Sequence, residues 1–336
     1  MTPDLLDRQA TDTEFARIVA ELTRRGFLAG TVGTAALLGL GACGSSSSGA
    51  DSGTQSAVTT RTVSTIYGDV EVPADPKRVV ALDFPEGCAL LDLGLTPIGV
   101  PDYMPDFSAY TTALRGVPVV TDVDGKPLVE KVASLQPDLI VTADWADSKQ
   151  RQMPYAQLRS IAPTAVFTWE QAAGNWQEQA AATADAVNKT AALAALRAKY
   201  AEKGATIKKT YGSLFARTRW DVIDCSQNVW DLYGKASSHG QVLSDAGVPL
   251  NAARTQTTGY QEYSFERFDL LAGTDVIVTT NASLPYLNKQ AAFTALPAVK
   301  AGQVYATDLF FPASYGIALA LLGDLDTICR KVQEGS

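Results

Sequence analysis

A single histidine, His239, stands in 336 residues, together with four cysteines at positions 43, 88, 225 and 329. That inventory limits the chemistry sharply. A Ser-His-Asp arrangement has to use His239, yet no serine sits in a Gly-x-Ser-x-Gly elbow; Ser226 follows an apolar run but lacks the flanking glycines. Neither His-Glu-x-x-His nor a phosphate-cradling P-loop occurs. The cysteines are scattered without a Cys-x-x-Cys pair, so they form neither a zinc site nor a full disulfide framework, although one bridge among Cys88, Cys225 and Cys329 stays open. A zinc or manganese site would need several histidines. Catalysis is therefore not expected, and a membrane-tethered hydrolase is kept only as the reading from another class.

What does recur is aromatic. Phe84, Tyr103, Trp145 and Trp169 follow apolar runs in the first half of the chain. In the second half come Trp230, Tyr233, Tyr260, Tyr263, Tyr286, Phe310, Phe311 and Tyr315. Flat, largely apolar faces suit a greasy or planar ligand, although each such residue taken alone is as readily core packing. Basic side chains near these loops are Lys149, Arg151, Arg219, Arg254 and Lys289, with Arg254 the first choice for an anionic group. His239 opens a predicted helix and could approach the same place, though a plain polar loop role is the commoner one for such a residue. Glu130 and Glu266 hold matching positions in the two halves, each a few residues ahead of an apolar run.

The elements that must position these residues alternate. Short apolar runs at 79–82, 98–100, 117–120, 139–141 and 165–167 are separated by helical stretches, and the pattern resumes at 220–223, 276–278 and 304–306. Between Trp176 and Tyr211 lies a proline-free run rich in Ala, Lys, Glu and Gln, expected to be one long helix. The fold class is α/β, with two Rossmann-like lobes joined by one long interlobe helix. Residues 61–172 are assigned to the first lobe, 173–212 to the helix and 213–336 to the second lobe. Ligands of such lobes sit beyond the carboxyl ends of the strands, where the aromatic loops fall.

The N-terminus reads as an address. Arg24 and Arg25 precede an uncharged stretch that closes on Leu40-Gly41-Ala42-Cys43, which resembles a twin-arginine export signal (1–42) joined to a lipobox. The resemblance implies lipidation of Cys43 and a membrane anchor on the extracytoplasmic face. The Gly/Ser-rich stretch 43–60 has the composition of a flexible tether. A formal charge of −8 argues against a nucleic-acid partner.

Six motifs in order carry a further resemblance: Asp75-Pro76-Lys77-Arg78-Val79-Val80-Ala81-Leu82-Asp83, Leu90-Leu91-Asp92-Leu93-Gly94, Ile98-Gly99-Val100, the stretch Val129 to Val141, the stretch Ser264 to Val278, and Ala298 to Tyr305. Over residues 70 to 332 the chain resembles the substrate-binding lipoproteins of ferric-siderophore, haem and cobalamin ABC importers, the class III periplasmic binding proteins. The resemblance implies a monomer with two stiffly joined lobes. It also implies a ferric siderophore held in the cleft without intrinsic cofactor or protein metal ligand, and delivery to a permease dimer with its ATPase through Glu130 and Glu266. Were the ligand haem, His239 or a tyrosine would be the axial candidate.

Overall fold

The computed structural model describes residues 59–145, 153–169, 174–251, 256–309 and 311–335. It opens with an antiparallel hairpin, β1 (Thr60–Thr65) and β2 (Gly68–Pro73), turned at Gly68 with φ +96°, a left-handed conformation natural to glycine. The Ile66 amide donates to the Val166 carbonyl at 3.1 Å and staples the turn onto the first lobe.

That lobe is built on β3 (Val79–Ala81), β4 (Leu139–Trp145) and β5 (Thr164–Trp169), all parallel, with Val79 opposite Leu139 and Ile140 opposite Thr164. Single parallel bridges Val80–Gly99 and Val100–Val119 extend the sheet across two further segments. Between strands run α1 (Phe84–Asp92) and α2 (Val129–Ser134). Asp83 starts α1 by accepting the Phe84 amide at 2.8 Å, with Pro85 in the first turn, so the helix begins directly at the carboxyl end of β3 and projects Phe84 there.

The expected single helix from Trp176 to Tyr211 is two: α3 (Trp176–Ala186) and the 26-residue α4 (Thr190–Phe215), which is the long interlobe helix. Asn188 makes the break. It adopts φ +54°, its amide donates to the Asp185 carbonyl, and the next amide, of Lys189, reaches back to Ala184. Those two bonds are a Schellman termination, which asparagine tolerates better than other side chains. The Asn188 side chain then donates to the Ala74 carbonyl at 2.9 Å, tying the corner to the first lobe.

The second lobe is a mixed sheet in the order β10-β9-β6-β7-β8, formed by β6 (Trp220–Cys225), β7 (Trp230–Tyr233), β8 (Tyr260–Tyr263), β9 (Val276–Thr279) and β10 (Val304–Ala306). β10, β9 and β6 are parallel, whereas β7 and β8 add antiparallel. Two segments expected to be loops are thus strands. Helix α5 (Ser238–Asp245) follows β7, a 3₁₀ helix spans Phe265–Leu271, and α6 (Tyr315–Glu334) closes the chain.

One apolar core runs through both lobes. It takes in Val79, Leu139, Val141 and Ala165 of the first, Val222, Val276 and Val278 of the second, and Leu193, Ile207, Leu321 and Leu325 of the helices between them. Trp176, Tyr200 and Tyr315 meet edge to face within it at 4.9–5.8 Å. Polar bonds lock the seam. Asp92 of α1 accepts the Tyr110 hydroxyl and the Gly316 amide of α6, both at 2.6 Å, and a Cβ on Gly316 would lie 2.2 Å from the carboxylate. Cys88, Cys225 and Cys329 are buried free thiols, with no bridge among them.

Candidate functional site

The carboxyl end of β3 gathers one aromatic group. Phe84 is half-buried, with Trp169 edge-on at 5.5 Å and Tyr103 edge-on at 6.1 Å, and the Tyr103 hydroxyl donates to the Leu82 carbonyl at 3.3 Å. Trp169 is itself buried and backs Phe84. Across the seam a second group forms on the sheet face that meets the shared core. Tyr233, itself buried, lies 5.8 Å from half-buried Tyr260, 5.5 Å from half-buried Phe311 and 4.5 Å from His239, and so backs the first two as Trp169 backs Phe84. Phe311 holds a left-handed φ of +55°, a strained choice for a phenylalanine, and so its ring is set by the loop after β10 rather than by local preference. Leu309 of the same loop packs against the Cys88–Tyr110–Ile317 cluster that Phe84 also touches. The two aromatic groups therefore border one interlobe seam.

His239 is not the polar loop residue expected of a helix start. It is 1% exposed, ringed by Tyr233 and Phe311, and burial lowers its pKa to about 3, so it is neutral. That enclosure removes it as an axial ligand for a group in the cleft. Trp230 and Tyr315 are also corrected. Trp230 is wholly buried beneath the second sheet, sandwiched with Phe268 at 5.1 Å while its indole N–H donates to the Ser264 carbonyl. Tyr315 is buried at the helix junction, where Arg197 donates to its hydroxyl at 3.1 Å. Both belong to packing. Tyr286 is exposed, with the Lys289 ammonium 5.8 Å from its ring, on the short helix after β9. Arg219 precedes β6 and pairs with Asp275 at 3.5 Å, at the end of the sheet away from the seam. Arg24, Arg25, Cys43, Lys149, Arg151, Arg254, Phe310 and the Trp145 side chain lie outside the described residues.

Two features escaped the reading of the sequence. First, register places Asp224, Asp231 and Glu262 directly opposite one another on β6, β7 and β8, two positions along the ladder from Val222, Tyr233 and Tyr260 and therefore on the same face. Like charges in adjacent strands are destabilising. Asp224 is relieved by the Ser283 hydroxyl at 2.5 Å and the Cys225 amide at 2.8 Å. Burial, then Glu262 and Asp224, pushes Asp231 up to about 6. Second, Tyr67 at the hairpin tip stacks on Tyr155 at 4.3 Å and donates to Asp144 at 3.2 Å, beside the carboxyl end of β4. The alternation Trp-Asp-Leu-Tyr against Tyr-Gln-Glu-Tyr is the signal by which the first could have been found; nothing local announces the second.

Glu130 and Glu266 are both exposed, each in the first turn of its element: α2 for Glu130, the 3₁₀ helix for Glu266. Hydrogen bonding to Ser264 and to its own backbone amide holds the Glu266 carboxyl below the usual range. Because α2 follows the strand segment ending at Val120, and the 3₁₀ helix follows β8, which runs parallel to β6, each glutamate lies on the carboxyl-end side of its sheet.

Two α/β lobes bridged by a long helix, with aromatic side chains collected where the lobes meet, define a two-lobed ligand-binding protein. A family model described as periplasmic binding protein matches residues 89–309, and the chain belongs to that family. Among relatives in Bacillus subtilis (strain 168), it is 38% identical over 164 residues to YfiY, named a probable siderophore-binding lipoprotein. This match spans 46% of each chain, so about half the length of that relative is covered. It is 27% identical over 278 residues to YfmC, named an Fe(3+)-citrate-binding protein, covering 79% of this chain and 84% of YfmC. Among solved structures, a periplasmic solute binding protein of Mycobacterium smegmatis superposes with a TM-score of 0.69 at 23% identity, covering 81% of this chain and 98% of that one. The siderophore periplasmic binding protein from the fuscachelin gene cluster of Thermobifida fusca gives 0.67 at 24%, covering 77% and 98%. At these identities the structural likeness establishes the fold.

Proposed function

We propose that this protein captures a ferric siderophore between its lobes and delivers it to an ABC importer. The observation that carries the reading is the pair of aromatic groups, Phe84–Tyr103–Trp169 and Tyr233–Tyr260–Phe311, bordering one seam in a chain of this family. A siderophore satisfies iron with its own oxygen donors, so the protein needs to offer faces and outer hydrogen bonds rather than metal ligands. The names of the B. subtilis relatives, one for siderophores and one for ferric citrate, support this class of ligand.

The acidic rung narrows the class. Asp224, Asp231 and Glu262 adjoin the Tyr233–Tyr260 rung, so negative potential falls on the second-lobe side of the seat. A ferric trishydroxamate is neutral, and positive when it bears a free amine, whereas a ferric triscatecholate carries three negative charges. The neutral or cationic chelate is the one this face accommodates. In a thermal-shift series, a saturating trishydroxamate is expected to raise the melting temperature by several degrees and a triscatecholate by much less, and tryptophan fluorescence should quench with the former. A stronger response to the triscatecholate would reverse the charge assignment, and no response to any ferric chelate would end the siderophore reading.

On the same reading Cys43 carries the lipid anchor after export through the Arg24-Arg25 signal. Cys43→Ala is expected to move the protein from the membrane fraction into the medium or periplasm. Retention of the variant in washed membranes would count against the anchor.

A further inference from the structure

Gly87 stands buried in the interior of α1, where glycine is among the poorest helix formers. Its backbone does not call for glycine, since its φ is not left-handed. A neighbour does. A Cβ at position 87 would lie 2.8 Å from the Met104 Sδ and 3.0 Å from its Cε, inside the distances at which packed atoms meet, with the Ala81 Cβ of β3 at an ordinary 3.7 Å. The thioether therefore lies flush on the main chain of α1, on the side of the helix that faces β3. A glycine that weakens its own helix is thus matched to the end of one side chain from elsewhere in the lobe.

Met104 belongs to the stretch 101–107, which joins the strand segment at Val100 to the short helix Ser108–Ala113. The same stretch carries Tyr103, the residue that meets Phe84 at the carboxyl end of β3. The hydroxyl bond from Tyr103 to the Leu82 carbonyl is long at 3.3 Å, and its ring meets Phe84 edge-on at 6.1 Å, contacts that taken alone define a position weakly. On one side the stretch is tied by the Asp102 amide, which donates to the Thr121 Oγ1 at 2.9 Å, and on the other by Phe107, edge-on to Tyr110 at 4.8 Å. Between those ties half-buried Met104 packs with Phe84, Phe107 and Leu309 against Cys88, Tyr110 and Ile317. An unbranched, polarizable thioether fills such an irregular gap well. Because Met104 directly follows Tyr103, the depth at which its sulfur rests on Gly87 sets how closely the tyrosine lies over Phe84.

We propose that Gly87 and Met104 are positioning residues for the ligand: the thioether seated on the Gly87 main chain holds Tyr103 against Phe84 and so shapes the first-lobe half of the seat. The proposal rests on the siderophore reading above and adds to it two residues that need not touch the chelate. It is tested by titrating the full-length protein with a linear ferric trishydroxamate, followed by tryptophan fluorescence. Gly87→Ala is expected to weaken binding about tenfold, while the melting temperature holds or rises because alanine is the better helix former and the flexible end of Met104 yields. Met104→Ala should repeat that loss, whereas Met104→Leu, of similar volume, should bind as the unaltered protein does. Tyr103→Ala is expected to weaken binding by a similar factor, and Gly87→Ala added to it should change affinity by less than about twofold, since the thioether then has no tyrosine to place. Losses from Gly87→Ala and Tyr103→Ala that multiply overturn the proposal, as does undiminished affinity in Gly87→Ala. A fall of several degrees in the melting temperature of Gly87→Ala also overturns it, because α1 itself would then have given way. If the unaltered protein binds the chelate and the variants match it, the positioning role alone is removed. If the unaltered protein binds no ferric chelate, the siderophore reading fails and the positioning role with it.

Discussion

The double variant Glu130→Ala, Glu266→Ala is expected to bind its ferric chelate as the unaltered protein does and to support uptake at about one hundredth of its rate. Both carboxylates are exposed, both begin a helical element on the carboxyl-end side of their sheets, and one belongs to each lobe. That placement suits a two-fold partner, which would meet the lobes with the same basic group twice. Removing one side of a desolvated charge pair costs about 2–5 kcal/mol, so two losses reach a hundredfold without difficulty. Because hydrogen bonding keeps the Glu266 carboxyl below the usual range, its charge and the uptake that depends on it should persist in mildly acid medium. Uptake and equilibrium binding measured side by side decide the matter. Weakened chelate binding in the double variant would place these residues in the cleft, and undiminished uptake would place them nowhere in transport.

A second large effect concerns acid. His239 is buried and neutral, with a pKa near 3 against 6.5 for a free imidazole. Below pH 6.5 the unfolded chain takes up a proton that the folded chain refuses, so stability falls as pH falls, and continues to fall until the folded pKa is reached. The slope of this one group approaches 1.4 kcal/mol per pH unit, and across the window it amounts to a loss on the order of 4 kcal/mol. Asp231, raised to about 6, acts in the opposite sense: the folded state holds its proton more tightly, so that group stabilises as pH falls through 6 toward the ordinary carboxyl range. The comparison must therefore be between proteins. In urea denaturation from pH 7 to pH 4, His239→Gln should show a shallower acid loss than the unaltered chain by nearly one proton. Parallel curves would mean that the imidazole is protonated in the fold and that its aromatic cage is open to water.

Much of the architecture is legible before any coordinates, for a definite reason. Strands such as Val79–Ala81, Leu139–Val141 and Val276–Val278 are covered on both faces, and so they appear as unbroken apolar runs. β7 and β8 are only four residues long and carry aspartate, glutamine and glutamate between their aromatics, which is the composition of a loop until the pairing register is known. Asn188 is a quiet breaker because its left-handed turn comes from the main chain, not from a glycine or proline. Of the aromatic residues expected in loops beyond strand ends, Phe84 and Tyr103 do follow strand segments, whereas Tyr233 and Tyr260 lie inside β7 and β8. Trp230 and Tyr315 do not border the seam, because an aromatic ring serves a core as well as it serves a ligand and its type alone does not distinguish the two. The Tyr67–Tyr155 stack and the acidic rung depend on which strands lie side by side, and that information is held by the whole chain.

The apolar interior common to both lobes also bears on discrimination. Swinging the lobes apart by a large angle would tear the Trp176–Tyr200–Tyr315 packing and the Asp92 bracket to Gly316, so empty and occupied molecules are held to nearly the same silhouette. On the proposed reading, a transporter facing such a carrier would gain little by sensing posture, and any preference for a filled carrier would have to arise at the lip of the seam, from the cargo's own exposed surface.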